Sequence, residues 1–158
     1  VRIGQPAAVA RLIDIGLGPR KSLVAPWPAI TAHEASFLRG YFDGDGYVGI
    51  WQSKVVRHPS LRSSFVGSWP FLSVMQKLLL DRASINPKKI GRAGNSPAFQ
   101  VQYNHRDSMA LADFIYSETG PCLSRKRDLF KSGRRELLTR RLAPGLRPVI
   151  HPTTTQED

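Results

Sequence analysis

The segment with the clearest potential for chemistry is DGDG, residues 43–46, in which Asp43 and Asp45 are separated by one glycine. Carboxylate and backbone carbonyl oxygens are the ligands that hard cations such as Mg²⁺ prefer, so the segment predicts a metal site suited to phosphodiester chemistry. Two other interpretations remain open. An EF-hand loop needs a bidentate Glu at its twelfth position, where this chain has Lys54. A plain turn uses Asp and Gly for positive φ and local capping.

A stripe of small residues precedes the acidic turn on a predicted helix. Ser36, Gly40 and Gly44 follow one another at intervals of four, so they share one helix face and permit close approach of a second helix. Asp43 and Asp45 lie at the negative end of the helix dipole, which disfavours acids. We therefore expect a cation to compensate the charge of these two aspartates.

The elements that must position this turn follow from hydrophobic periodicity and capping signals. Thr31 and Glu34 resemble a capping box for a helix that continues over 35–43. The other predicted elements are a helix over 6–15, strands 47–54 and 63–69, a helix over 70–80, strands 89–93 and 99–104, a helix over 107–117 capped by Asp107, and a helix over 124–142. This order predicts an α+β fold in which two adjacent hairpins pair into one antiparallel sheet.

Positive charge is concentrated towards the end of the chain. The 23 Lys and Arg residues against 12 Asp and Glu give a formal net charge of +11. Nine of the basic residues fall between Pro121 and Arg147, where the only acids are Asp128 and Glu136. This cluster predicts binding to nucleic acid and not to a membrane, because it lacks the apolar face of a membrane-lying helix. A solvated basic helix is the alternative.

Length and cysteine content limit the possible classes of protein. A chain of 158 residues is one domain in size, and none of its apolar runs approaches the roughly 20 residues that a membrane helix requires. The single cysteine, Cys122, excludes a disulfide within the chain and favours a reducing compartment. We expect a cytoplasmic or nucleoid-associated protein that is not secreted.

The segment LRGYFDGDG, residues 38–46, resembles the LAGLIDADG motif of homing endonucleases and intein endonuclease domains. Arg39 departs from the small residue of the motif. The segment LSRKRDLF, residues 123–130, resembles the basic segment of the same family. The resemblance extends from Val1 to about Leu138, and the motif positions that match are Leu38, Gly40, Asp43, Asp45 and Gly46.

The resemblance implies a saddle-shaped αββαββα fold whose antiparallel sheet lies on duplex DNA, with two motif helices packed at a pseudo-two-fold axis. It implies that Mg²⁺ is held by the Asp45 carboxylate and the Gly44 carbonyl, and that Asp43 braces the helix end. It also implies that Lys126 is catalytic and polarises the attacking water or the phosphate, although an ordinary phosphate contact is another role open to this lysine. Lys21 is expected to be its counterpart from a first repeat.

Candidate DNA-binding residues follow from the alternation of side chains along the predicted strands. Gln100, Gln102 and Asn104 form an amide row that fits base-edge readout in the major groove, where Gln and Asn pair with adenine. A polar row facing solvent is the alternative. Val48 and Ile50 are expected to enter the core. The remaining candidates are Tyr47, Gly49, Trp51 and Ser53 on the face that the family presents to DNA, Arg62 near the hairpin tip, and Arg125 and Arg127 in the basic cluster.

A weak internal repeat bears on the organisation of the chain. Residues 1–23 and 101–129 share the order strand, helix, Gly-Pro, Arg-Lys, which pairs Lys21 with Lys126. Because the chain begins at Val1, we expect a fragment lacking its first motif. The expected parts are the end of a first repeat with a linker, residues 1–30, a complete LAGLIDADG repeat, residues 31–142, and a disordered tail, residues 143–158.

The expected function is metal-dependent, site-specific cleavage of double-stranded DNA. Cutting two strands requires two sites and the chain has one acidic motif, so we expect its partner to be a missing N-terminal repeat in cis or a second copy of the chain. The fragment alone is expected to be inactive if that partner is absent. The alternative is a DNA-binding regulator or an RNA maturase that keeps the fold without cleaving. The endonuclease is expected to be free-standing or embedded in an intein.

Overall fold

The computed structural model describes residues 5–14, 26–28, 32–52 and 60–142 of the chain. The predicted α+β class is confirmed, and the order of elements after the first helix is αββαββαα. The elements are α1 Pro6–Asp14, α2 Glu34–Asp45, β1 Tyr47–Trp51, β2 Ser60–Gly67, α3 Trp69–Ala83, β3 Gly91–Arg92, β4 Phe99–Tyr103, α4 His105–Ile115 and α5 Ser124–Leu142.

The four strands form one antiparallel sheet in the order β1-β2-β4-β3. The two predicted hairpins therefore meet through β2 and β4, whose register pairs Ser64 with Gln102 and Phe65 with Val101. The strand β3 is only two residues long, shorter than the predicted 89–93, and it pairs with one end of β4. Residues that pair across strands share a face of the sheet. One face is largely buried and the other largely exposed, so the sheet has one buried and one open side.

The buried side of the sheet packs against α2, α3, α4 and α5. Aromatic rings are prominent in this core, where Phe42 of α2 lies edge-on to Phe65 of β2 at a centroid distance of 5.2 Å. The large side chains that the strands bury on this face include Val48, Leu61, Phe65, Val101 and Tyr103. Among the described residues, no helix is long and apolar enough to cross a membrane.

Two helix starts differ from the predicted capping. Thr31 lies outside the described residues, and α2 begins at Glu34 after His33 in the left-handed conformation, without a side-chain cap. The helix α4 is capped by Asn104, whose side chain accepts a hydrogen bond from the Asp107 amide at 3.0 Å. Asp107, expected as the cap, is instead in the first turn of the helix. A negative charge there interacts favourably with the helix dipole.

The connection between α4 and α5 runs along α2 and is joined to it by side-chain hydrogen bonds. The hydroxyl of Ser36 donates to the Glu118 carboxylate at 2.5 Å, and the Arg39 guanidinium donates to the Glu118 carbonyl at 2.6 Å. Gly120 has a φ of 152°, and a Cβ there would collide with the Arg39 guanidinium. Arg39 is therefore buried against this connection, which explains how a long side chain is accommodated on the motif helix.

Candidate functional site

The two aspartates at the end of α2 lie in different environments. Asp43 is half-buried, and its carboxylate accepts hydrogen bonds from the Tyr116 hydroxyl at 3.0 Å and the Leu123 amide at 2.7 Å. Asp45, two residues later, is exposed. In the described ranges, no hydrogen bond or ion pair joins the Asp45 carboxylate to another residue. Asp43 therefore joins α2 to the following connection, and Asp45 is available to an external ligand.

The cation expected at this helix end is Lys126 of α5. Its side chain is 5% exposed, and its ammonium donates to the carbonyl oxygens of Phe42 at 2.6 Å, Asp43 at 3.0 Å and Gly46. Burial lowers the pKa of Lys126, and the neighbouring Arg125 lowers it further, while Asp43 and Asp45 act in the opposite direction. Lysines near a helix C-terminus commonly donate to the last carbonyls of the helix and interact favourably with its dipole.

The backbone at the end of α2 is tightly packed. The Gly46 amide donates to the Phe42 carbonyl at 2.9 Å and closes the last turn of the helix. A Cβ on Gly46 would overlap both the ring and the carbonyl oxygen of Phe42. Position 46 therefore requires glycine for space. The acidic turn therefore contacts both Phe42, through Gly46, and the Lys126 ammonium.

Asp45 and Gly44 together fit part of the coordination shell of a hard cation. The carboxylate of Asp45 is an oxygen ligand, and the Gly44 carbonyl belongs to the last turn of α2, where carbonyls lack helical partners. Mg²⁺ typically binds one or two carboxylates and keeps several waters or phosphate oxygens. Among the described residues, no three His, Cys, Asp or Glu side chains are grouped closely enough to hold a metal. The remaining ligands of such a cation would have to be water, phosphate oxygens or groups of a partner.

The small-residue stripe of α2 is open at two of its three positions. A Cβ added at Gly40 or Gly44 would meet nothing within 4 Å, and both residues are exposed. Ser36 differs from the expectation, because its hydroxyl contacts Glu118 and Arg39. The open face of α2 therefore extends over the two glycines, close to Asp45.

The open side of the sheet carries most of the predicted DNA-binding residues. Tyr47, Gly49 and Trp51 share this face with Arg62, whose guanidinium lies 3.9 Å from the centroid of the Trp51 ring. A Cβ on Gly49 would collide with the Tyr47 side chain, so glycine allows that ring to lie across the strand. These side chains form an exposed aromatic and cationic surface on β1 and β2.

The amide residues of β4 are linked to one another on the same face. The Gln102 amide donates to the Gln100 carbonyl oxygen at 3.2 Å, and the Gln100 amide donates to the Ser64 hydroxyl at 3.1 Å. Gln102 is exposed, and Asn104 also caps α4. The chain of hydrogen bonds fixes the orientation of these amides on the sheet.

Ile50 differs from its predicted position. It faces the buried side of the sheet, opposite Leu61, but is 52% exposed. Val48, two residues earlier, is buried as expected. The reason is position: Ile50 is near the end of the edge strand β1, whereas Val48 pairs with Ser63 nearer the middle of the sheet.

Two lysines and an arginine lie beside the amide row, and the sequence did not predict them as DNA-binding residues. Lys88, Lys89 and Arg92 line an open cavity of about 300 Å³ together with Gln100 and Gln102. The consecutive lysines Lys88 and Lys89, just before the short strand β3, could have indicated a DNA contact in the sequence. They lie outside the basic cluster between Pro121 and Arg147, on which the prediction was based. The structure places these cations next to the predicted base-reading residues.

Other predicted residues lie apart from this surface or outside the described ranges. Arg125 and Arg127 are exposed in the first turn of α5. Lys21 and Ser53 lie outside the described residues, as do the predicted tail over 143–158 and most of the predicted first repeat. Their roles remain predictions.

Comparison with known proteins identifies the family. Residues 32–111 match the family described as LAGLIDADG-like domain. No curated protein matches the chain. Similar solved structures include the LAGLIDADG meganuclease I-AabMI bound to uncleaved DNA, at 19% identity and a TM-score of 0.48 over 70% of this chain. The homing endonuclease I-TnaI is similar at 17% identity and a TM-score of 0.46, over 68% of this chain and 74% of its own. The chain spans 39% of the I-AabMI chain. Because residues 32–111, half of its length, match the family, this chain belongs to the LAGLIDADG-like domain family.

Proposed function

We propose that this chain contributes an active site to a Mg²⁺-dependent, site-specific DNA endonuclease. The observation that carries the proposal is the exposed Asp45 carboxylate, which makes no hydrogen bond or ion pair with the described residues and lies at the end of the motif helix. The neighbouring Asp43 carboxylate, by contrast, has two hydrogen bonds. An acid left free at a helix C-terminus, where the dipole disfavours it, indicates use by a ligand.

The proposed roles at the site follow from the available atoms. The Asp45 carboxylate and the Gly44 carbonyl hold Mg²⁺, which supplies Lewis-acid stabilisation of charge on a phosphate. The buried ammonium of Lys126 adds positive charge close to the same turn. Asp43 keeps α2 joined to the connection that leads into α5.

The open face of the sheet is proposed to bind duplex DNA. Arg62 and the cavity cations Lys89 and Arg92 supply positive charge for phosphates, and the linked amides of Gln100 and Gln102 supply donors and acceptors for base edges. The remaining proposed contacts are Tyr47, Gly49, Trp51, Ser53, Asn104, Arg125 and Arg127. An aromatic and amide surface flanked by cations fits DNA better than a membrane.

Cleavage of both strands requires a second site, which we propose to come from another motif helix. The exposed glycines Gly40 and Gly44 would allow the backbone of that helix to approach α2 closely. The partner is an N-terminal repeat in the same protein or a second copy of the chain. Lys21, from the end of the first repeat, is proposed as the counterpart of Lys126.

The proposal is tested by incubating the full-length protein, including its second motif helix, with Mg²⁺ and a library of supercoiled plasmids that carry randomised targets. Wild type should nick or linearise a subset of the library. Asp45→Asn should reduce the cleavage rate by about 10²-fold or more, because one oxygen ligand loses its charge. The matched control is Asp128→Asn, which changes an exposed acid of α5 that pairs with Lys131 and should cleave like wild type.

Equal activity of wild type and Asp45→Asn would contradict the nuclease proposal. Retained sequence-specific DNA binding without any cleavage would favour the non-cleaving regulator on the same fold. Preference for a structured RNA over duplex DNA would favour the maturase.

A further inference from the structure

We infer that Lys126 is a positioning residue, which holds the backbone on both sides of Gly44 and Asp45 and thereby presents these two groups to the metal. This role rests on the proposed function of Asp45. It differs from direct action on the attacking water or the phosphate. The observations behind it are the three acceptors of the ammonium, its burial and the way α5 is attached to α2.

The acceptors of the Lys126 ammonium flank the proposed metal-binding pair. Phe42 and Asp43 precede Gly44, and Gly46 follows Asp45. The two residues between these contacts are both exposed, so the lysine secures the chain around them without covering them. Its hydrogen bonds join the last turn of α2 to the residue that leads into β1.

The hydrogen-bonding capacity of the ammonium is fully used by these contacts. A protonated lysine has three N–H donors, and the structure assigns Lys126 three carbonyl acceptors. Lys126 is only 5% exposed, and these bonds, together with the Phe42 ring 5.2 Å away, offset part of the cost of desolvating its charge. To touch a water or a phosphate, the ammonium would have to release one of these carbonyls. The Phe42 carbonyl also accepts from the Gly46 amide, whereas the Asp43 and Gly46 carbonyls have no second donor among the described residues.

The helix that carries Lys126 is attached to the same turn by a second contact. The Leu123 amide donates to the Asp43 carboxylate at 2.7 Å, and the Lys126 amide donates to the Leu123 carbonyl at 3.0 Å. The start of α5 therefore contacts both the side chain and the backbone of Asp43. This double attachment limits the movement of Lys126 away from the end of α2.

The first test measures amide hydrogen exchange of residues 43–47 in the full chain, without metal or DNA. Lys126→Met should accelerate exchange there by about tenfold, since hydrogen bonds from a charged donor are lost. Lys126→Gln keeps two N–H donors without the charge and should give a smaller acceleration. The control is Lys131→Met, which removes an exposed lysine one turn further along α5 and should leave these amides unchanged. If Lys126→Met does not fold, the exchange rates of residues 43–47 are compared between Lys126→Gln and wild type instead.

The second test separates positioning from direct catalysis. Binding of Mn²⁺ to each variant is measured by electron paramagnetic resonance, and cleavage is titrated with Mg²⁺. A positioning role predicts weaker Mn²⁺ binding and an increase of about tenfold in the half-saturating Mg²⁺ concentration for Lys126→Met. Saturating Mg²⁺ should restore most of the maximal rate, and Lys126→Gln should lie between Lys126→Met and wild type.

The opposite pattern would overturn the inference. If Lys126→Met and Lys126→Gln both lower the maximal rate at every Mg²⁺ concentration, with exchange and Mn²⁺ binding unchanged, Lys126 acts on the reacting atoms. If wild type binds Mn²⁺ but does not cleave DNA, only the nuclease proposal fails. In that case, the exchange and Mn²⁺ results still support or overturn the positioning role.

Discussion

The Tyr116 hydroxyl donates a hydrogen bond to the Asp43 carboxylate at 3.0 Å across a separation of 73 residues. The contact connects the end of α4 to the end of the motif helix. Burial, and then the charge of Asp43 and the hydrogen bond to it, raise the pKa of Tyr116 well above its ordinary value, so the phenol remains a donor. Asp43 therefore braces the end of α2, whereas the proposed function assigns the metal-binding role to Asp45.

The first prediction concerns the stability that Asp43 provides. Asp43→Ala should lower the free energy of unfolding by about 1–3 kcal/mol, because the Tyr116 hydroxyl and the Leu123 amide lose a charged acceptor. Urea denaturation measures the change. Asp128→Ala, which removes an exposed ion pair with Lys131, should cost less than about 1 kcal/mol. Equal effects of the two variants would show that Asp43 does not brace the helix end.

A second prediction concerns the open face of the sheet. Arg62→Ala should weaken DNA binding at every sequence and reduce the slope of log K against log salt concentration by about 1, as expected for the loss of one phosphate contact. Fluorescence anisotropy over a salt series measures the slope. Arg82→Ala is the control, since this arginine lies on α3 and pairs with Glu34. An unchanged slope for Arg62→Ala would remove this residue from the DNA interface.

A third prediction uses two glycines of the motif to separate folding from association. Gly40→Ala should stabilise the isolated chain by about 0.5–1 kcal/mol, because its Cβ meets open space within a helix. It should also weaken association with the second motif helix, since the added methyl keeps the two backbones apart. Thermal unfolding and sedimentation velocity measure these two effects.

Gly46→Ala provides the contrast for this experiment. Its Cβ would overlap the Phe42 ring and carbonyl, so it should lower the unfolding free energy of the isolated chain by about 1–3 kcal/mol. If Gly40→Ala leaves association intact, the partner helix does not pack on this face.

The fourth prediction concerns stability at alkaline pH. Burial and the charge of Asp45 raise the pKa of Tyr41 from 10.0 to about 12. Because the folded pKa is higher than the unfolded value, this contribution to stability is complete below pH 10 and is lost as the pH rises to 12. Burial also raises the pKa of Tyr103 and Tyr116, so these residues contribute in the same direction.

Tyr41→Phe should therefore make the decline of unfolding free energy above pH 10 less steep. Below that pH the variant should lose about 0.5–1.5 kcal/mol, the value of the hydrogen bond to the Val66 carbonyl. Chemical denaturation at a series of pH values measures both effects. An identical pH dependence in wild type and variant would contradict the raised pKa of Tyr41.

The amino-acid sequence determined those features that depend on local spacing. Ser36, Gly40 and Gly44, at intervals of four, predicted a small-residue face on one helix. The DGDG segment over 43–46 predicted that this helix ends in an acidic turn. Alternating side chains predicted two hairpins, and the order of elements predicted the α+β class. These inferences succeed because helix and strand periods relate neighbouring residues directly.

The tertiary structure decided which distant groups meet. The sequence predicted a compensating cation for the acids of α2, but only packing of α5 brings the Lys126 ammonium onto three carbonyls of the turn. Chain spacing likewise does not show that Asp43 is hydrogen-bonded and that Asp45 makes no hydrogen bond with the described residues. Burial of Arg39 and exposure of Ile50 depend on the α4–α5 connection and the sheet edge. Hydrogen bonding and desolvation act through space, so residue spacing alone does not determine them.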